Sequence, residues 1–205
     1  GGEGAGRSIQ AQTLANTLIK RGIPVIKTRE PGGSNEAEAI RQLLVTGETK
    51  KWLPKTEVLL HYAARIQHVV EVVKPALADG KWVISDRFHD STFAYQGYGH
   101  NQSLADLELI HAYALKKFKP DLTILLDLPA EIGLTRSIAR GNTEDRYERM
   151  DLDFHQRVRN GFLKISAKDS DRFIVLNASK SIKSVSNQVF KAINKKFQLN
   201  FTNYE

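Results

Sequence analysis

The first eight residues combine small side chains, a cation and a hydroxyl in an order suited to holding phosphate. Gly1-Gly2-Glu3-Gly4-Ala5-Gly6-Arg7-Ser8 follows the Walker A order of Gly, four residues, Gly, a cation and a hydroxyl, with Arg7 where Lys is usual. The N–H groups of such a loop surround phosphate oxygens, and the next helix presents its positive end. We predict a phosphate-binding loop. A flexible tag is the plainer alternative, but it leaves the helical pattern from Ser8 onward unexplained.

A second chemical pair, Asp86 and Arg87, follows the apolar segment Trp82 to Ser85. The carboxyl end of a parallel strand is where such sheets bind ligands. An acid there is suited to Mg²⁺, and a neighbouring guanidinium is suited to a phosphate. The alternative for an isolated pair of this kind is an ordinary surface salt bridge.

These residues need a scaffold of strands and helices that alternate along the chain. Apolar runs short enough for buried parallel strands occur at Ile23 to Lys27, Trp82 to Ser85, Leu122 to Leu128 and Phe173 to Leu176. Helical periodicity predicts helices at Ser8 to Arg21, Glu36 to Val45, Lys55 to Asp79, Leu104 to Phe118, Glu131 to Arg140, Asp151 to Ala167 and Ile182 to Lys195.

The longest predicted helix, Lys55 to Asp79, carries an apolar residue at almost every helical turn. We expect the whole apolar set to face the core. Its members are Val58, Leu59, Tyr62, Ile66, Val69, Val70, Val73 and Leu77.

Alternating strands and helices predict an α/β fold in which a doubly wound parallel sheet of about five strands is flanked by helices. No apolar run precedes Gly1, so we expect the first strand of this fold to be missing from the sequence as given. The length of 205 residues fits one domain, because no repeat or linker divides it.

Composition restricts the class of protein. No window approaches the roughly 18 consecutive apolar residues of a membrane-spanning helix, and no leader pattern is present, so we expect no membrane association. The absence of Cys fits a reducing cytoplasm. The net charge of +7 is concentrated partly in the lysines between Lys180 and Lys196, as on a solvated helix face, and we expect no nucleic-acid partner.

Three segments together resemble the thymidylate kinase family. They are TREPGG at residues 28–33, EVLLHYAAR at 57–65 and DRFHDSTFAYQG at 86–97. Their order and spacing fit, and the similarity extends from Gly1 to about Phe162. The resemblance implies the P-loop nucleoside-monophosphate-kinase fold, a homodimer, and phosphorylation of dTMP by ATP with Mg²⁺ in dTTP biosynthesis.

The resemblance also implies roles for individual residues. ATP is expected at Gly1, Gly2, Glu3, Gly4, Ala5, Gly6, Arg7, Ser8 and Ile9, and Mg²⁺ at Ser8 and Asp86. The expected dTMP-binding residues are Glu3 at the sugar hydroxyl, Arg29, Arg41 and Arg87 at the acceptor phosphate, Glu30 and Pro31 beside them, and His61, Arg65, Thr92, Tyr95 and Gln96 around the base and sugar. If they stood alone, Arg65 would be read as a solvated helix residue and Tyr95 as a core aromatic.

The family's bacterial-type members carry catalytic arginines in a mobile lid, which we expect at about residues 137–150. Arg136, Arg140, Arg146 and Arg149 lie on or beside it, and Arg140 and Arg146 are expected to contact the transferred phosphate. The expected catalytic set is thus Arg7, Asp86, Arg87, Arg140 and Arg146. A solvated, charged hinge is the alternative.

Two departures from the family pattern leave other functions open. Arg7 replaces the usual Lys, and His61 takes the place of the usual base-stacking Phe. A kinase for another nucleotide or nucleoside, and a nucleotide sensor that has lost catalysis, are the two alternatives. Because the unperturbed pKa of His is near 6.5, we expect a partly charged and poorer platform for thymine at low pH.

Overall fold

The computed structural model describes residues 1–139 and 144–201. These residues contain four parallel strands, and each lies within two residues of its predicted bounds. They are β1 (Val25–Arg29), β2 (Trp82–Asp86), β3 (Thr123–Asp127) and β4 (Phe173–Asn177). β1 pairs with β2 in the register Val25 to Trp82, and β3 pairs with β4 in the register Thr123 to Phe173.

Helices cover both faces of the strands, so the predicted three-layer α/β fold is confirmed. The α-helices are α1 (Arg7–Lys20), α2 (Asn35–Val45), α3 (Pro54–His68), α4 (Lys74–Ala78), α5 (His89–Thr92), α6 (Leu104–Leu115), α7 (Ala130–Ile138), α8 (Leu152–Lys168) and α9 (Ile182–Phe197). Two π-helical segments are π1 (Val69–Val73) and π2 (Phe93–Gly99). None of the helices within the described ranges combines the length and the apolar character needed to cross a bilayer.

Neighbouring residues of β3 serve different layers, as the two-residue period of a strand requires. Leu126 packs with Leu18 of α1 and Val189 of α9. Leu125 packs on the other face, with Phe154 and Phe162 of α8. α1 and α9 therefore form one outer layer, and α8 with π2 forms part of the other.

An apolar cavity of about 650 Å³ lies between the two strand pairs. Its walls include Ile84 of β2 and Ile124 of β3, and Gly1 lies at its edge. The described residues thus form two two-stranded sheets, and the count of about five strands was too high for them. The reason is that β2 and β3 do not pair with each other within residues 1–139 and 144–201.

The long helix begins and ends close to its predicted bounds, but the prediction for its apolar residues was half wrong. Val58, Tyr62, Val69 and Val73 are buried, whereas Leu59, Ile66, Val70 and Leu77 are 36–59% exposed. The π1 segment interrupts the helix after His68. The apolar residues therefore form two faces, of which only one meets the core.

Sequence periodicity did not predict α5 and π2, which follow β2 directly. π2 places Tyr95 and Gln96 beside the carboxyl end of β2, and both side chains are at least 95% buried. Isolated π turns are rare and occur often at functional sites. Tyr95 and Gln96 in this segment, and Thr92 just before it, are three of the residues predicted to surround the base and sugar.

Candidate active site

The predicted phosphate-binding loop, residues 1–6, leads directly into α1, which begins at Arg7. Gly4 and Gly6 have φ angles of 65° and 83°, which favour glycine. No side chain of the described residues caps the first turn of α1. Its N–H groups therefore remain available for an anion at the positive end of the helix.

The loop is held against α7 by direct contact between backbones at Gly4 and Gly133. A Cβ atom at Gly4 would lie 2.1 Å from the carbonyl oxygen of Gly133, and one at Gly133 would lie 2.4 Å from that of Glu3. A side chain at either position therefore requires the loop or α7 to move.

We expect Gly133→Ala to displace the loop and weaken ATP binding. Overpacking of this kind costs about 1–3 kcal/mol of stability, and we expect a larger loss in nucleotide affinity because the contact falls on the loop itself. Urea unfolding and calorimetric titration with ATP measure the two effects. Thr135→Ala, on the exposed side of the same helix, is the control and should change neither. Wild-type ATP affinity in Gly133→Ala would contradict the assignment of the loop.

The Arg7 side chain folds back onto the loop that precedes it. Its Nη1 donates to the carbonyl oxygens of Gly1, at 2.8 Å, and Gly2. Its Nε lies 3.0 Å from Oδ1 of Asp86, and its Nη2 lies 3.4 Å from Oε2 of Glu3. The guanidinium thus connects the loop to the end of β2 through three separate nitrogen atoms, whereas a lysine carries all its donors on one nitrogen.

Asp86 and Ser8, the two residues predicted to bind Mg²⁺, contact each other. The Ser8 hydroxyl donates to Oδ2 of Asp86 at 2.5 Å. Burial opposes ionisation of the carboxyl, but the charge of Arg7 and the Ser8 hydrogen bond outweigh it and lower the pKa of Asp86. A carboxylate beside a hydroxyl is a hard oxygen set that fits Mg²⁺. No group of three or more acidic or His side chains suited to a metal occurs in residues 1–139 and 144–201.

Glu3, Arg87 and Tyr95 form a closed triad beside the loop. Oε1 of Glu3 lies 2.7 Å from Nη2 of Arg87 and accepts from the Tyr95 hydroxyl at 2.6 Å. The same Arg87 nitrogen donates to the Tyr95 oxygen at 2.8 Å. Burial opposes the charge of Glu3, but Arg87 and Arg7 hold its pKa far below the ordinary value. Arg87 has a φ of 72°, unusual for a residue with a side chain and typical of functional sites.

Arg65 is buried rather than solvated, so its alternative as a solvated helix residue is wrong. Its side chain is 3% exposed, and its Nε lies 2.6 Å from Oε2 of Glu30. Its Nη2 donates to the Thr92 hydroxyl at 3.1 Å. Its Nη1 has no hydrogen-bond partner among the described residues. A buried donor without a partner is costly, so this nitrogen points to a ligand acceptor.

His61 lies one helical turn before Arg65 on α3. Its Nε2 is 2.9 Å from the hydroxyl of Tyr147. Burial lowers the pKa of His61 to about 4, so the ring is neutral at pH 7 and stays so on moderate acidification. We therefore expect the poorer platform for thymine only when the pH falls to about 4, below the range that the unperturbed pKa suggests.

Arg29 and Arg41, two of the three arginines predicted to bind the acceptor phosphate, each contact a carboxylate. Nη2 of Arg29 lies 2.9 Å from Oε2 of Glu38, and the Arg29 side chain is half exposed. Nη2 of Arg41 lies 2.6 Å from Oε2 of Glu144, and its Nη1 donates to the Pro31 carbonyl at 2.7 Å. Both arginines thus hold carboxylates, chemically similar to the phosphate oxygens that they are predicted to bind.

One cavity of about 490 Å³ brings together all the predicted dTMP-binding residues. They are Glu3, Arg29, Glu30, Pro31, Arg41, His61, Arg65, Arg87, Thr92, Tyr95 and Gln96. Arg7, Ser8 and Asp86 also line it. The cavity therefore connects the phosphate loop to the buried polar groups of α3 and π2. Their individual roles stay predictions.

Of the two arginines expected to contact the transferred phosphate, Arg146 does not line this cavity. Arg140 lies outside the described residues. Arg146 is 1% exposed, its Nη2 lies 2.6 Å from Oε2 of Glu57, and it donates to the carbonyl oxygens of Leu44, Glu48 and Thr49. A guanidinium committed in this way is not free to reach a phosphate in this conformation, which corrects the expected position of Arg146.

Sequence reasoning missed several residues that line the cavity. They are Val45, Phe88, Ser91, Glu144, Tyr147 and Glu148. Tyr147 matters most, because its hydroxyl contacts His61 and its ring lies 5.5 Å from that of Tyr95. The sequence signal that could have identified Tyr147 is a single aromatic residue between charged neighbours in the predicted lid segment.

Comparison with known proteins agrees with this arrangement. The family model described as Thymidylate kinase matches residues 1–189. The thymidylate kinase of Caulobacter vibrioides is 48% identical over 186 residues, which cover 91% of this chain and 89% of that protein. The thymidylate kinase of Magnetococcus marinus is 41% identical over 201 residues, covering 98% and 96%, and that of Lactobacillus acidophilus is 46% identical over 191, covering 92% and 88%. On these matches, this chain belongs to the thymidylate kinase family.

Proposed function

We propose that this protein transfers the terminal phosphoryl group of ATP to dTMP, producing ADP and dTDP for the synthesis of dTTP. The observation that carries the proposal is the single cavity that runs from the phosphate loop and Asp86 to Arg65 and Gln96. One end offers cations and loop N–H groups, and the other offers buried polar groups spaced for a base.

The chemistry requires little of the protein beyond position and charge. The acceptor is already an anionic phosphate oxygen, so no strong general base is needed. Arg87, fixed by Glu3 and Tyr95, would hold the acceptor phosphate, while the first turn of α1 would hold the donor phosphates. Closure of a lid at about residues 137–150 would exclude water and limit ATP hydrolysis.

Mg²⁺ fits the same proposal, with Ser8 and Asp86 as the residues that would hold it. When bound, the ion would neutralise charge on the phosphate oxygens. The low pKa of Asp86 keeps its carboxylate ready at neutral pH. Arg7 contacts the other oxygen of this carboxylate and so fixes its orientation.

We also propose a homodimer, supported by an exposed apolar stripe. Leu59, Ile66 and Val70 share one face of the α3–π1 helix, and Leu109 and Tyr113 on the adjacent α6 are 71% and 88% exposed. Large exposed apolar residues on two neighbouring helices favour an interaction surface. The cytoplasm, where ATP and dTMP are available, is the proposed location.

The two rival functions make different predictions. A kinase for another substrate would turn over dUMP, dCMP or thymidine faster than dTMP. A sensor would bind nucleotide without forming ADP. The compact set Glu3, Arg87 and Asp86 favours the kinase, because a protein that only binds nucleotide gains nothing from a buried, strained arginine at the acceptor end.

The test is the formation of ADP and dTDP by the full-length protein from ATP, Mg²⁺ and dTMP, alongside its Arg7→Lys variant. We expect the wild type to turn over dTMP and the variant to change the rate modestly, since the charge is kept but several contacts are lost. An inactive wild type with an active variant would mean that the protein is a thymidylate kinase whose catalysis is lost because of Arg7. Two silent proteins that bind dTMP would support the sensor and overturn the proposal.

A further inference from the structure

Glu57 is a buried carboxylate next to the cavity but not part of its wall. It lies in the first turn of α3 and is 1% exposed. Its Oε1 accepts from Nε2 of Gln96 at 2.7 Å, and its Oε2 lies 2.6 Å from Nη2 of Arg146. Burial opposes ionisation, whereas the neighbouring His61, the charge of Arg146 and the Gln96 hydrogen bond favour it, and the pKa of Glu57 is lowered. The group is therefore a carboxylate at neutral pH.

An ionised carboxylate only accepts hydrogen bonds, so its contact with Gln96 fixes which way the amide points. The NH₂ group must face Glu57, and the carbonyl oxygen must face away. Gln96 is 1% exposed and lines the cavity, and its Oε1 has no hydrogen-bond partner among the described residues. The Gln96 position therefore offers the cavity a buried acceptor.

Arg65 offers a donor in the same cavity. Its Nε and Nη2 are committed to Glu30 and Thr92, and only its Nη1 lacks a partner within the described chain. Together the two side chains present one acceptor and one donor to a base. The imide edge of thymine or uracil, an N–H beside a carbonyl, complements this pair. The corresponding edge of cytosine carries a ring nitrogen acceptor beside an amino donor, which is the reverse pattern.

We propose that Glu57 is a positioning residue for base selection: by fixing the polarity of the Gln96 amide, it makes the site accept thymine and reject cytosine. These contacts form a chain of hydrogen bonds, here called the relay, of which Arg146 is the first member. Since a guanidinium only donates, it holds Glu57 as an acceptor, and the order of donors and acceptors is transmitted from Arg146 through Glu57 and Gln96 to the base. The inference rests on the proposed function, because it assumes that the base of dTMP occupies this end of the cavity.

The variant Glu57→Gln tests the relay because it should exchange the donor and acceptor ends of the Gln96 amide. The oxygen of the new amide would accept from Arg146, so its NH₂ would face Gln96 and turn the Gln96 carbonyl inward. A donor would then face the base. We expect the ratio of kcat/KM for dTMP to that for dCMP to fall about tenfold, the scale of one hydrogen-bond pair at a base edge. Arg65 still opposes the cytosine amino group, so a complete switch is not expected.

Two internal comparisons separate base selection from a merely structural role. The ratio of dTMP to dUMP should stay at the wild-type value, because both bases present the same imide edge. Asp90→Asn is the matched control, since it makes the same carboxylate-to-amide change in another buried pair, with Arg172 at 2.8 Å, and Asp90 does not line this cavity. We expect it to cost stability without changing the ratio of dTMP to dCMP.

The double variant Glu57→Gln/Gln96→Glu tests whether an acceptor at position 96 is what selects the base. The amide at position 57 would donate to the carboxylate at position 96, whose second oxygen would again offer an acceptor to the base. We expect the preference for dTMP over dCMP to return towards wild type. These ratios are measured within each preparation, so a reduced folded fraction does not change them.

An unchanged ratio of dTMP to dCMP in Glu57→Gln would overturn the inference, as would an equal fall in Asp90→Asn. If Glu57→Gln yields no folded protein, the double variant decides, and a lost preference for dTMP in it would overturn the inference. Activity of the wild type on dTMP tests the proposed function separately, so the two ideas can fail independently.

Discussion

Replacing Arg87 with methionine is expected to lower kcat/KM for dTMP about 10³-fold, the scale of an arginine that stabilises charge during phosphoryl transfer. The change keeps an apolar stem against the Tyr95 ring and removes the guanidinium that lies 4.7 Å from its centroid. The acceptor phosphate would lose one of the three arginines predicted to bind it. Steady-state kinetics with dTMP at saturating ATP measures the effect.

Arg157→Met is the control for removing a guanidinium. Its Nε donates to the Gly99 carbonyl at 3.1 Å, and Arg157 does not line the cavity. We expect this control to keep wild-type kinetics. A second variant, Glu3→Gln, keeps Arg87 but weakens its fixation, and should produce a smaller loss than Arg87→Met. If Arg87→Met stays within tenfold of wild type, Arg87 is not the residue that binds the acceptor phosphate.

Replacing Arg146 with methionine is expected to lower the free energy of unfolding by about 3–5 kcal/mol, the usual cost of breaking a buried ion pair from one side. Glu57 would remain as a buried charge without its 2.6 Å partner. The carbonyl oxygens of Leu44, Glu48 and Thr49 would also lose their donor. Urea unfolding followed by circular dichroism measures the change.

Arg149→Met provides the matched control three residues further along the chain. Arg149 is 41% exposed and lies 3.0 Å from Asp145, so its loss should cost less than about 1 kcal/mol. The comparison also separates two roles for Arg146. A stable Arg146→Met protein with a strongly reduced kcat would restore the idea that this arginine reaches the transferred phosphate, and it would contradict the structural role described above.

Much of the fold could be predicted because its signals are local. Short apolar runs such as Trp82 to Ser85, with breakers at their ends, favour strands, and each of the four predicted runs forms one. Burial along α3 was harder to predict. Leu59 and Val58 are adjacent and equally apolar, yet one is 59% and the other 2% exposed, because helix periodicity does not show how many sides of a helix are covered.

Some residues of the candidate site could likewise be predicted from the sequence, and others could not. Residues within contiguous motifs, such as Arg87 and Gln96, could be identified from order and spacing. Glu57 was present in one of these motifs, but its importance depends on partners 39 and 89 residues away. Neither sequence spacing nor residue type indicated that Arg146 would turn inward to meet it. Pairings at such separations follow from the packing of α3 against the segment around Tyr147, which only the structure reveals.

The π2 segment has a consequence for changes in chain length. A π turn contains one residue more than an α turn, so a helix can close normally over a single deletion within Phe93–Gly99. One residue corresponds to about 100° of rotation in an α-helix. When the extra residue of a π turn is removed, the flanking helical residues keep their facing, and the residues inside the segment take up the rotation. A one-codon deletion there would therefore reorient Tyr95 and Gln96 in one step, and the base preference would change with them.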